Sequence, residues 1–206
     1  MTILSAETLR LWRGDAPVLR GLSFTLAAGR CLEITGANGA GKTTLLRALC
    51  GLLPLEEGRV FWRGANTADD ALAFHAELAY LGHDNALKAD LNAHENLHYA
   101  VGLRRAVQPA DIAAALARVG IGVEAARVAV RRLSAGQRRR VALARVVLLN
   151  SALWVLDEPT ANLDATGQQL AAELLETHLR AGGAAVVATH RPIGLAPAWL
   201  QSLTLQ

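Results

Sequence analysis

The segment Gly36-Ala37-Asn38-Gly39-Ala40-Gly41-Lys42-Thr43 constrains this chain more than any other. It fits G-x-x-x-x-G-K-[ST] at every fixed position, and that pattern needs a strand before it and a helix after it. Its glycines let successive backbone N–H groups curl around an anion. The following helix turns its N-terminus toward the same anion. Lys42 adds a point charge for β- and γ-phosphates, and the Thr43 hydroxyl, with Thr44 beside it, suits a Mg²⁺ ligand. The flanks agree. Cys31–Thr35 is a compact apolar strand, Lys42–Cys50 has helical spacing, and Gly51 stands where a helix-ending glycine belongs. The loop selects a fold, not a reaction, because many nucleotide enzymes share it.

The rest of the chain alternates in the same way. Short strands are expected at Leu9–Trp12 and Gly21–Leu26, with turn chemistry at Gly14-Asp15, and again at Ala79–Leu81, Ala152–Leu156 and Ala184–Ala188. Helices are expected at Arg139–Leu149 and Gly167–Leu179. Strands alternating with helices predict a parallel sheet covered on both faces, an α/β fold. From about Asn85 to Leu133 the sequence becomes Ala-rich with helical spacing, as at Ala110–Val119. The expectation is one domain over 1–206. Residues 1–84 and 135–206 form its α/β core, and about 85–134 form an inserted helical lobe.

Composition narrows the setting. Hydrophobic residues make up 52% and charged residues 19%, so a large buried core is expected. The most apolar stretch, Val146–Leu156, is broken by Asn150 and Ser151, and no transmembrane helix is expected. The first residues lack the charged start and apolar block of a secretory signal, which predicts a cytoplasmic location. Cys31 and Cys50 lack metal or redox spacing and read as buried thiols. A net charge of +3 is too mild to imply nucleic acid.

Two further segments carry chemistry. Leu153-Trp154-Val155-Leu156-Asp157-Glu158 is an apolar strand ending in two carboxylates. Asp157 can reach a Mg²⁺ shell, and Glu158 can accept a proton from an attacking water. Leu133-Ser134-Ala135-Gly136-Gln137 precedes an apolar-periodic helix, lacks acidic residues, and offers helix N–H groups to an anion. One loop already encloses the phosphates on one side. A second anion site makes sense if each chain completes its neighbour's pocket.

These segments together resemble the ABC ATPases, and the likeness spans almost the whole chain. LSAGQ is similar to the family signature LSGGQ, with Ala135 replacing a glycine. Ala161-Asn162-Leu163-Asp164 is similar to the D-loop, and His190 in Ala-Thr-His to the switch histidine. The resemblance implies a P-loop NTPase fold: a RecA-like parallel sheet, an antiparallel β subdomain and a helical lobe. It implies ATP and Mg²⁺ as cofactors and a head-to-tail dimer that sandwiches ATP. Lys42 and the loop amides would hold the phosphates. Thr43 and Asp157 would hold Mg²⁺, Glu158 would polarise the lytic water, and His190 would hold the transition-state geometry. Ser134 and Gly136, with Gln137 beside them, would reach the partner's γ-phosphate, and Asp164 would tie the two sites together.

One departure points further. The family's glutamine after the strand at 79–81 is replaced, and His83 of Gly82-His83-Asp84 falls on its position. A neutral imidazole can still reach a Mg²⁺-bound water, and protonation removes that acceptor. GHDNALKADLNAHENLHY and LSAGQRRRVALAR together resemble the ATP-binding subunits of the haem exporter of cytochrome c biogenesis. That likeness implies membrane partners of the CcmB and CcmC kind and a peripheral place on the cytoplasmic face of a bacterial inner membrane. ATP hydrolysis would then drive haem delivery, or release of haem-loaded chaperone, on the periplasmic side.

Other readings are weaker. His94-Glu95-Asn96-Leu97-His98 fits a zinc-protease pattern, but no clear third ligand follows, and a solvated helix face is expected. Arg138-Arg139-Arg140 reads as a partly solvated helix beside the ATP interface, not as a nucleic-acid footprint. Trp12 is a candidate to stack on adenine, with Arg13 nearly as well aligned, while Trp62 and Trp154 read as core. A soluble ABC protein of translation or repair would carry two cassettes or a long coiled-coil insertion. A non-hydrolysing scaffold would not need Glu158 and His190. Another small lipophilic or metal-complex cargo is the nearest alternative, since such a subunit does not touch cargo.

Overall fold

In the computed structural model, residues 1–205 are described. The chain opens with a long hairpin, β1 (Thr2–Arg13) and β2 (Ala16–Ala27), followed by β3 (Cys31–Thr35) and α1 (Lys42–Leu49). Next come β4 (Glu57–Trp62), β5 (Ala65–Asn66), α2 (Ala71–Ala76) and β6 (Leu78–Leu81). Three helices follow: α3 (Ala93–Gly102), α4 (Pro109–Arg118) and α5 (Val123–Arg127). The chain ends with α6 (Ala135–Leu149), β7 (Leu153–Asp157), α7 (Ala165–Arg180), β8 (Ala184–Ala188) and β9 (Leu200–Thr204).

Two sheets result. One is antiparallel, in the order β2-β1-β4-β5; the other is parallel, in the order β6-β7-β8-β3-β9. Every residue of β7 and β8 is buried, as expected of central parallel strands covered on both faces. Their alternate residues feed two cores. Trp154, Leu156, Ala185 and Val187 pack with α3, α4, α6 and α7. Leu153, Val155, Val186 and Ala188 pack with α1 and the antiparallel sheet. The α/β class and the antiparallel β layer are as the resemblance implied.

Several elements differ from the sequence reading. α6 starts at Ala135, four residues before the expected Arg139, because Ser134 and Gln137 cap it reciprocally. This is a capping box, and it tolerates Gly136 inside the first turn. The hairpin strands run longer than Leu9–Trp12 and Gly21–Leu26. Register shifts near Ala6–Leu9 and a positive φ of 50° at Thr8 break the alternation that would have shown their length. β4, β5, α2 and β9 lie outside the expected elements. The first three of the six residues of β4 are exposed and only its end is apolar, and β9 alternates only weakly.

Cys31 and Cys50 are buried and free, and burial pushes each thiol up to about 12. No helix among the described residues is long and apolar enough to cross a membrane.

Candidate functional site

The parallel sheet gathers its chemistry at the carboxyl ends of its strands, where open α/β sheets bind ligands. β3 runs out into the glycine loop, β6 into Gly82-His83, β7 into Asp157-Glu158, and β8 into Thr189-His190. A cleft of about 520 Å³ lies between them, lined by Asn38, Gly39, Gly41–Thr44, His83, Asp157, Glu158 and His190.

The loop's glycines are required by its path. Gly36, Gly39 and Gly41 have φ of 146°, 88° and 94°. A β-carbon on Gly41 would come within 2.5 Å of Val18 Cγ1. α1 opens directly on Gly41 with no side-chain cap and no acidic residue in its first turn. Its N-terminal field is therefore available to an anion. The Lys42 ammonium is buried and donates to the carbonyls of Gly36 at 2.8 Å and Ala37 at 3.1 Å, so the side chain arches back over the loop.

Thr43 Oγ1 donates to Asp157 Oδ2 at 2.7 Å, joining the helix start to the end of β7. The pair is a hard-oxygen set of the kind that suits Mg²⁺. His83 faces the same cleft and is exposed. Glu158 comes next to Asp157 with φ of 49°, unusual for a side chain of its size. This turn aims the two carboxylates differently. Asp157 goes to Thr43, and Glu158 Oε2 lies 2.8 Å from His190 Nδ1.

The LSAGQ segment lines a different cavity, of about 680 Å³, with Ser134, Gly136, Gln137, Arg140, Asn162 and Asp164 in its wall. Ser134 Oγ accepts from the Gln137 N–H at 3.1 Å, which leaves the hydroxyl proton to donate elsewhere. Gly136 lies against the Asn162 carbonyl, where a β-carbon would approach to 2.8 Å. Asp164 caps α7 through the Gly167 N–H and accepts from Arg140 at 2.8 Å. The Gly167 N–H and Arg140 hold its carboxyl below the usual carboxylate range.

The structure thus sorts the expected residues into two groups. The phosphate loop, Thr44, His83, Asp157, Glu158 and His190 come together. Ser134, Gly136, Gln137 and Asp164 come together elsewhere. Trp12 joins neither: it is 38% exposed, and its neighbour Arg13 lines the cleft instead. Trp62 and Trp154 are buried, Trp154 stacked on His178 with ring centroids 4.1 Å apart. His94 and His98 line different cavities, and Glu95 is spent capping α3.

Sequence reasoning missed Arg139. The run at 138–140 is partly solvated, as expected, but Arg139 within it is only 2% exposed. Helical periodicity held the signal: Ala142, Leu143 and Val146, at steps of three, four and seven, are buried on the same face.

Comparison with known proteins gives consistent matches. The family model described as ABC transporter matches residues 19–161, more than half of the chain. The chain is 48% identical to the cytochrome c biogenesis ATP-binding export protein CcmA of Xanthomonas campestris pv. campestris, over 99% of this chain and 94% of the relative. It is 47% identical to the protein of that name from Methylococcus capsulatus, over 92% of each. Among solved structures, an ATP-binding subunit of an ABC transporter superposes with a TM-score of 0.82 at 22% identity, covering 92% of this chain and 80% of that one. A Pyrococcus furiosus chain described as an ABC transporter ATP-binding protein gives 0.84 at 23%, over 98% and 96%.

Proposed function

The chain belongs to the ABC transporter family as an ATP-hydrolysing subunit, and we propose that it powers the haem-exporting machine of cytochrome c biogenesis. The observation that carries this reading is the likeness, along nearly the full length of both chains, to proteins named for ATP-dependent export in cytochrome c biogenesis. The cleft that Lys42, Thr43, Asp157, Glu158 and His190 share supports it.

The proposed roles follow from the geometry. Lys42 and the amides of residues 36–43 bind the β- and γ-phosphates of ATP, with Thr44 beside them. Lys42 already spends two donors on the loop's own carbonyls, which holds the ammonium in place while leaving a third N–H. Thr43 and Asp157 would hold Mg²⁺, and His83 would reach one of its waters. The ion supplies charge neutralisation on the phosphate oxygens. Glu158 orients the attacking water and takes up its proton as the water oxygen bonds to the γ-phosphorus. The bond from that phosphorus to the bridging oxygen breaks, leaving ADP and phosphate. His190 holds Glu158 in position through their hydrogen bond.

Ser134, Gly136 and Gln137 serve the nucleotide of a second copy. They line a cavity apart from the phosphate loop of their own chain, at a helix start with no acidic residue in its first turn. Two copies arranged head to tail would close two ATP sites, and Asp164, which lines the same cavity as Ser134, would tie them together. Membrane subunits of the CcmB and CcmC kind would recruit the dimer peripherally to the cytoplasmic face of a bacterial inner membrane. Hydrolysis would drive haem delivery or release of a haem-loaded chaperone on the other side.

The test is co-purification of tagged Glu158→Gln chain from detergent-solubilised membranes of its source, with ATP present. This variant should bind ATP and stall. Mass spectrometry should find haem-handling membrane subunits, and the sample should show haem absorbance. Recovery of another permease without haem would keep the ATPase and discard the pathway.

A further inference from the structure

Arg139 reaches two segments that flank the cleft. Its Nη1 donates to the Gly82 carbonyl and to Asn85 Oδ1, each at 3.0 Å, on either side of His83. Its Nη2 donates to the Asp157 carbonyl and, at 2.7 Å, to the Glu158 carbonyl, while Nε reaches the Pro159 carbonyl at 3.3 Å. Every acceptor is a neutral carbonyl. Burial pushes the guanidinium down to about 10, so it stays charged at neutral pH. A buried charge without a carboxylate partner is a poor way to gain stability, and an apolar side chain would fill the space more cheaply. What arginine alone supplies is a rigid planar fork that fixes several acceptors at once.

Glu158 is the residue that needs fixing. Its backbone lies in the left-handed region, which an ordinary side chain occupies only when its peptide groups are held. The Glu158 N–H donates to the Ala188 carbonyl at 2.8 Å, and the Glu158 carbonyl accepts from Arg139. We propose that Arg139 is a positioning residue for ATP hydrolysis: its guanidinium locks Glu158 in the conformation that aims the carboxylate into the cleft, and ties it to the loop that bears His83. Because Arg139 stands on α6, the same side chain joins the Ser134 end of that helix to the hydrolytic carboxylate. Closure of α6 on a second copy's nucleotide and placement of Glu158 become one movement. The proposal rests on the reading of Glu158 as the residue that activates water.

The test uses Arg139→Lys in the full chain, which keeps the charge and length but removes the fork. We expect kcat to fall about 100-fold, the effect of misplacing a catalytic group by an ångström or so. KM and ATP affinity should stay within about twofold. In a Glu158→Gln background, followed by single-turnover assay, Arg139→Lys should add no further loss. Asn85→Ala removes one acceptor and leaves the guanidinium in place. It should lower kcat about threefold to tenfold with KM unchanged, and it decides alone if the lysine variant does not fold by circular dichroism. The proposal is overturned if folded variants retain kcat within about twofold, if KM rises instead, or if the loss is equal with and without Glu158. A Glu158→Gln variant that still turns over at the parental rate would remove the catalytic reading itself, and would do so before Arg139 is touched.

Discussion

Gly41 shows how little freedom single residues have in this site. Its φ of 94° and the approach of Val18 leave no room for a side chain. Gly41→Ala should therefore abolish ATP binding, measured with a fluorescent nucleotide, while Gly39→Ala, with open space at its β-position, should weaken it less. Unchanged affinity in Gly41→Ala would contradict the loop geometry. Glu158 is held as tightly, at a cost of roughly 1–2 kcal/mol for its left-handed backbone. At His83 the departure from the family pattern is chemical. A ring nitrogen and an amide oxygen both accept a hydrogen bond, whereas an alanine accepts none. ATPase activity should stay within about threefold in His83→Gln and fall about tenfold in His83→Ala. An unchanged rate in His83→Ala would show that His83 accepts no bond that matters. The phosphate-loop, Asp157 and Glu158 positions were legible in the sequence because their chemistry dictates residue type. Arg139 was not, and the choice between Trp12 and Arg13 was left open, because both depend on which way one side chain points.

At the scale of elements, α6 and α7 do the joining. α6 carries Ser134 at its start and Arg139 one turn further, and Arg140 crosses to Asp164 at the start of α7. α7 carries His178 in its last turn, where it stacks on Trp154 and its Nε2 lies 3.0 Å from the Ala184 carbonyl. Gly183 lies under that ring, where a β-carbon would come within 2.2 Å of it. Gly183→Ala should destabilise the protein by about 1–3 kcal/mol in denaturant unfolding; an unchanged midpoint would contradict the packing. Burial pushes the His178 imidazole down. The unfolded chain then takes up a proton that the folded one resists, so stability is lost as pH falls below the ordinary imidazole range. Thermal melts from pH 7 to 5 should flatten in His178→Phe, which keeps a stacking ring. The central strands could be read because both faces are apolar. The hairpin's length, β4 and β9 could not, because bulges and exposed edges blur the alternation.

At the scale of the whole molecule, the expected site residues line two separate cavities. The phosphate loop and the carboxylates line one cleft; Ser134, Gly136 and Asp164 line another. The family pattern could be read from the sequence as an order of motifs, whereas their division between two cavities needed the fold. The most direct measurement is the mass of Glu158→Gln in solution by light scattering, with and without Mg-ATP. The account predicts a shift from monomer to dimer on adding Mg-ATP, lost when Ser134→Arg is added. A variant that binds Mg-ATP and keeps the same mass would contradict it.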